Sequence, residues 1–65
     1  MKINRLKVIL AEKSKTNKWL AEQLGKSEVT VSRWVTNELQ PSMETFLEIA
    51  KLLDLDVKEL INSTK

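Results

Sequence analysis

The stretch from Thr16 to Trp34, TNKWLAEQLGKSEVTVSRW, constrains the fold more than any other part of this chain. It predicts two short helices joined by a tight turn at Gly25, because glycine readily adopts the positive φ that a sharp exit from a helix requires. Ala21 is small where the second helix must cross closely, and Val31 points back into the angle between the helices. This combination in one window is typical of a helix-turn-helix unit.

Composition limits the classes of protein to which the chain can belong. Its 65 residues suffice for one small domain with one modest core. It has no cysteine, histidine or tyrosine and no glycine-rich phosphate loop, so we expect neither an enzyme nor a metal or cofactor site. It has no long apolar run and no apolar block near the N-terminus, so we expect a cytoplasmic protein with no membrane segment.

The charge is divided unevenly between the two halves of the chain. Residues 1–33 carry eight basic and three acidic side chains, a net charge of +5, whereas residues 34–65 carry three basic and six acidic ones, a net charge of −3. The basic half contains the predicted helix-turn-helix, as expected if this half faces phosphate. The alternative is an ordinary solvated surface on which the asymmetry arose by chance.

Apolar periodicity and capping residues predict five helices. The predicted helices cover residues 2–13, 17–24, 28–36, 43–53 and a short segment after Asp56. Thr16, Ser27 and Ser42 are suitable N-caps, because each hydroxyl can accept from a free backbone N–H of the next turn. Asp56 has Glu59 three residues on, the spacing of a capping box.

The ends of these helices and the absence of strand patterns complete the fold prediction. Gly25, Asn37 and Asp54 are the predicted helix ends, and Asn37 adopts the left-handed conformation almost as well as glycine. No run of residues alternates with period two, so no strand is expected. The sequence therefore predicts an all-α, compact five-helix bundle as one domain over residues 1–61, with residues 62–65 as a flexible tail.

From about Leu6 to Ile61 the chain resembles the Cro/repressor (XRE) family of helix-turn-helix DNA-binding domains, which have the lambda-repressor-like fold. The resemblance rests on LAEQLGKSEVTVSRW at 20–34 and on PSMETFLEIAKLLDLDVKEL at 41–60. It implies five helices, of which the third lies in the major groove and the second lies across it. It also implies that the partner is double-stranded DNA and that the protein is of bacterial or phage type.

The family's DNA-contacting positions fall on the second and third predicted helices and on the turn between them. The resemblance implies base contacts by Glu28, Val29, Ser32 and Arg33. It implies phosphate contacts by Asn17, Lys26, Ser27 and Thr30.

Each candidate base contact has a chemical rationale and an ordinary alternative. Arg33 could donate twice to guanine O6 and N7 or hold a phosphate, Glu28 could accept from cytosine N4, and Val29 could meet a thymine methyl. Alternatively, Glu28 is an acid favoured by the helix dipole near the Ser27 cap, and Val29 and Ser32 merely fill the surface. The sequence leaves both interpretations open.

Some positions depart from the family's pattern and support a second hypothesis. The loop after the third helix reads NEL at 37–39 where basic residues are common, and Leu10 replaces an arginine common on the first helix. Trp19 stands where a charged residue is usual; we favour a peripheral core position for it over a role as a partner anchor.

Two hypotheses follow from these observations. The first is a sequence-specific transcriptional regulator of repressor type that acts as a homodimer, since one domain offers only one recognition helix. The second is a protein-interaction module or antitoxin-like partner on the same fold, in which Leu10, Trp19, Leu39 and the acidic C-terminal half contact another protein.

Overall fold

The computed structural model describes residues 3–61, and over this range it contains four α-helices and one terminal 3₁₀ helix. The elements are α1 (Leu6–Glu12), α2 (Asn17–Leu24), α3 (Glu28–Val35), α4 (Met43–Leu53) and the 3₁₀ helix (Val57–Leu60). Helix α3 packs against both α2 and α1, and α4 packs against the 3₁₀ helix. Residues 3–61 contain no strand, only an isolated antiparallel bridge between Asn4 and Ile61. The all-helical fold is therefore confirmed.

One buried apolar cluster draws on every one of these elements. Its most deeply buried side chains are Leu6, Leu20, Val31, Ile49 and Leu60. Ala21 is 4% exposed in the middle of α2, as expected for a small residue where α3 crosses. Because each helix is short, burial of its apolar face rather than intrinsic helix propensity stabilises the helical conformation.

The first helix begins four residues later than its apolar pattern predicts. The prediction of a helix over 2–13 was wrong at its start, since α1 begins at Leu6. Lys2, where the predicted helix began, lies outside the described residues. Asn4 pairs instead with Ile61, and the Arg5 N–H donates to the Leu60 carbonyl oxygen at 2.7 Å. These contacts with the far end of the chain hold the segment before α1 in a non-helical conformation.

The predicted five-helix count was also wrong, because the last element is a single 3₁₀ turn. Its bonds have i to i+3 spacing, with the Glu59 N–H donating to the Asp56 carbonyl at 2.9 Å. The Asp56 carboxylate caps this turn by accepting from the Lys58 N–H at 3.3 Å. The turn cannot continue as an α-helix, since Ile61 leaves it with extended backbone to meet Asn4. The predicted tail, residues 62–65, lies outside the described residues.

The predicted helix ends at Gly25 and Asp54 are confirmed, since both are C-caps with positive φ. Helix α3 ends earlier than predicted, at Val35 with Thr36 as its C-cap, and Asn37 follows with a φ of 65°. The predicted N-caps are confirmed as well: Thr16 accepts from the Trp19 N–H at 3.0 Å, and Ser42 accepts from the Thr45 N–H at 3.2 Å. These local signals therefore determine where α2 and α4 begin and end.

Gly25→Ala is expected to lower the free energy of unfolding by about 1 kcal/mol, since a Cβ disfavours the left-handed conformation. The φ of Gly25 is +67°, and an added Cβ would meet nothing within 4 Å, so the cost comes from the backbone alone. Urea denaturation measures it, with Gly25→Asn as the control that tolerates positive φ. Equal losses for the two variants would contradict this explanation.

Candidate nucleic-acid interface

The turn between α2 and α3 sets the direction of the candidate recognition helix. Gly25 adopts the left-handed conformation, and the Lys26 N–H donates to the Ala21 carbonyl at 2.9 Å, which closes the end of α2. Ser27 then caps α3, its hydroxyl accepting from the Thr30 N–H at 3.1 Å. Two short helices are thus held at a fixed angle by local hydrogen bonds and by the burial of Val31 between them.

Helix α3 has one buried face and one exposed face. Val31 is fully buried and Trp34 is 5% exposed, so these two residues hold the helix to the core. On the opposite face, Val29 is 63% exposed and the Arg33 side chain is 60% exposed. A large apolar residue and a guanidinium group therefore project into solvent from a rigid helix, the arrangement that a groove-reading helix needs.

The candidate base-reading residues share one shallow surface depression. It is lined by Asn17, Glu28, Val29, Ser32, Arg33 and Glu38. The four candidate base contacts come from α3, and Asn17, a candidate phosphate contact, comes from the first turn of α2. Five residues singled out from the sequence are thus neighbours in space.

Glu38 is the lining residue that sequence reasoning missed. Its carboxylate Oε1 lies 4.0 Å from the Arg33 Nε, and both side chains are mostly exposed. The turn after α3 brings it there, since the N–H groups of Glu38 and Leu39 both donate to the Arg33 carbonyl, at 2.9 and 3.2 Å. The sequence did carry one indication of this position, because the loop after α3 reads NEL at 37–39 where basic residues are common in the family that this chain resembles. The charge division, however, grouped Glu38 with the acidic half of the chain and not with the helix-turn-helix.

The depression is weakly acidic rather than basic. Arg33 contributes one positive charge, whereas Glu28 and Glu38 contribute two negative ones. Carboxylates repel phosphate but accept hydrogen bonds from the amino groups of cytosine and adenine. The net positive charge of residues 1–33 is therefore not found in this depression.

The remaining candidate phosphate contacts lie outside this depression. Lys26 is exposed and lines a different depression, with Leu24 and residues of α4. The hydroxyls of Ser27 and Thr30 lie 2.9 Å apart and hydrogen-bond to each other. Because that bond uses one of their two hydroxyl hydrogens, the other stays available to a phosphate oxygen.

The comparison of the sequence with family models decides the family. The model of the Cro/C1-type HTH DNA-binding domain matches residues 5–65, nearly the whole chain. The chain belongs to the Cro/C1-type helix-turn-helix family. This is a family of DNA-binding domains and not of enzymes.

A solved structure is similar to this Cro/C1-type domain over almost its full length. It is described as "a putative DNA-binding protein from Bacteroides fragilis", is 56% identical in sequence and superposes with a TM-score of 0.92. The match covers 95% of this chain and 100% of that chain. No curated protein matches the chain. Within the part that the structure describes, no helix is long and apolar enough to cross a membrane.

The three residues considered for a protein contact on this Cro/C1-type domain differ in how far they are exposed. Leu10 is 3% exposed and belongs to the core, so its assignment to a protein contact was wrong. Trp19 is half-buried and packs against the core, while the Lys15 ammonium lies 4.8 Å from its ring centroid in a cation–π contact. Of the three, Leu39 alone is well exposed, at 49%.

Proposed function

We propose that this Cro/C1-type domain is a sequence-specific transcriptional regulator of repressor type, active in the cytoplasm as a homodimer. In this proposal residues 1–61 form one DNA-binding domain that inserts α3 into the major groove. Glu28, Val29, Ser32 and Arg33 contact bases, and Asn17, Lys26, Ser27 and Thr30 contact phosphates. Each subunit reads one half-site, and the half-sites are about 34 Å apart on one face of the duplex.

The observation that carries the proposal is the single depression shared by Asn17 and the exposed face of α3. B-DNA's major groove is wide enough for one helix, whose outward side chains then meet base edges. Asn17 stands at the first position of α2, beside free backbone N–H groups that favour a phosphate oxygen. Base-reading and phosphate-binding groups are thereby presented together from one surface.

The protein-interaction hypothesis has less support. Leu10 is part of the core and Trp19 is half-covered, so two of the three side chains considered for that role are engaged within the domain. The exposed Leu39 does not identify a partner. We therefore favour DNA binding as the function of the α3 surface, the depression lined by Asn17, Glu28, Val29, Ser32, Arg33 and Glu38.

Selection of bound duplexes from a random pool tests the proposal. We expect enrichment of a palindromic sequence, and binding to it should weaken steeply between about 50 and about 200 mM salt because bound cations are released from DNA. The spacing of the selected half-sites reports whether two subunits bind symmetrically. Failure to bind any duplex at low salt would refute the proposal.

The same selection performed on Glu28→Gln tests whether this residue reads a base. If Glu28 accepts from a cytosine amino group, the variant prefers a different base at one position of each half-site. If Glu28 is only an acid favoured by the helix dipole, the selected sequence stays the same and binding to all duplexes becomes stronger.

A further inference from the structure

The α3 surface contains an acidic residue beside its only arginine, which is unusual on a surface that meets a polyanion. Arg33 Nε and Glu38 Oε1 are 4.0 Å apart, and this is the one ion pair among residues 3–61. We propose that Glu38 is a positioning and specificity-determining residue, which keeps Arg33 directed at base edges and prevents it from binding phosphates indiscriminately. This inference rests on the proposed DNA-binding function.

The first argument is that the backbone holds Glu38 in place next to Arg33. Three donors converge on the Arg33 carbonyl: the N–H groups of Glu38 and Leu39 and the Thr36 hydroxyl, the last at 3.2 Å. The turn after α3 is therefore folded back onto the residue whose side chain Glu38 faces. An exposed ion pair is normally weak because ordering two long side chains costs entropy. The fixed turn removes only the backbone share of that cost, so it sets where the Glu38 carboxylate can reach.

The second argument is that the turn is fixed to the rest of the domain. Asn37, next to Glu38, has a φ of 65°, and its side-chain oxygen accepts from the Ile3 and Asn4 N–H groups at 2.8 and 2.9 Å. Glu38 therefore stands on a turn that is bound both to α3 and to the N-terminal segment. Its position relative to the recognition surface is a property of the fold.

The third argument is electrostatic. With Glu28 and Glu38 both lining the depression, a phosphate approaching Arg33 meets two negative charges against one positive charge. A base edge carries no net charge, so the two carboxylates repel it far less than they repel a phosphate, and they can accept from the amino groups of neighbouring bases. Negative charges that weaken contacts with phosphates more than contacts with base edges raise sequence specificity.

Glu38→Gln is expected to raise affinity for a random-sequence duplex roughly three- to tenfold, with a smaller gain for the selected duplex, so the ratio between the two affinities falls. The released Arg33 then binds phosphate, and the plot of log affinity against log salt steepens by about 0.9. Glu59→Gln is the matched control, because Glu59 is an exposed acid on the 3₁₀ helix and lies outside both the depression of Arg33 and that of Lys26. Glu38 is mostly exposed, so thermal unfolding should change little.

A double-mutant cycle separates positioning from a general charge effect. In an Arg33→Ala background, Glu38→Gln should no longer alter the salt dependence or the preferred bases, because the group on which it acts is gone. The inference is overturned if Glu38→Gln acts equally with and without Arg33, or if it matches Glu59→Gln, while the wild-type protein binds DNA. If the wild-type protein binds no duplex, the proposed function itself fails and the inference falls with it.

Discussion

Asn4→Ala, which removes a buried polar side chain, is expected to lower the free energy of unfolding by about 3 kcal/mol, the largest stability loss that we predict for this domain. Asn4 is 3% exposed, the one buried polar residue among residues 3–61. Its side-chain Nδ2 donates to the Trp34 carbonyl at 2.9 Å and to Gln40 Oε1 at 2.7 Å. Its Oδ1 accepts from the N–H of Leu6, the first residue of α1, at 3.0 Å.

The expected loss is large because alanine removes three side-chain hydrogen bonds and leaves one buried backbone N–H without a partner. A buried donor or acceptor that loses its partner retains the full cost of its desolvation, about 1–3 kcal/mol per group. The Leu6 N–H is such a group, whereas the Trp34 carbonyl loses one of two donors and still accepts from the Asn37 N–H at 3.0 Å. Replacement of Asn4 by a smaller residue also leaves space that the surrounding backbone cannot easily fill.

Chemical denaturation and thermal unfolding measure this effect, with a fall in Tm of more than roughly 10 °C expected for a domain of this size. Asn17→Ala is the matched control, since Asn17 is only half-buried on the first turn of α2 and a change there should stay within about 0.5 kcal/mol. Equal stabilities of the two variants would show that the Asn4 hydrogen bonds contribute nothing.

Arg33→Ala is expected to weaken binding to the selected duplex by about 1–3 kcal/mol, or roughly 5- to 150-fold. The side chain lines the depression and is 60% exposed, so its loss should leave the fold intact. A base-reading arginine donates twice to guanine, and its removal relaxes the preference at one base pair of each half-site. An arginine that holds only a phosphate would instead weaken binding to all sequences alike.

Arg33→Lys is the control for this variant. Lysine retains the charge and loses the paired donor geometry, so it should restore salt-dependent affinity for any duplex without restoring the base preference. Full recovery of the preference by lysine would contradict two-donor recognition. Competition with random-sequence duplex in a mobility-shift titration gives both quantities from one measurement.

Local sequence signals predicted most of the fold, because they act through neighbouring residues. The bounds of α2 and α4 follow from four residues. The hydroxyls of Thr16 and Ser42 accept from a free backbone N–H in the first turn of each helix, and the left-handed backbone conformations of Gly25 and Asp54 end the helices. The alternation of buried and exposed residues on α3 likewise follows from helical periodicity. The exposed face of the candidate recognition helix was predictable for the same reason.

Contacts between distant residues were not predictable from these signals. The apolar spacing of Ile3 and Leu6 favoured an earlier start for α1, but residues 3–5 bond to Asn37 and to the Leu60–Ile61 segment. The same pairing limits the last element to a single 3₁₀ turn. Helical periodicity describes one segment at a time and carries no information about which segments will meet.

The amino-acid sequence by itself determined the family, the helix-turn-helix and the side chains that α3 exposes, because capping, glycine conformation and periodicity are local properties. Only the tertiary structure decided that Leu10 belongs to the core, that Asn4 joins the two ends of the domain to the turn after α3, and that Glu38 lies beside Arg33. The physical reason is that burial and ion pairing depend on distances between residues far apart in the chain, and folding alone sets those distances.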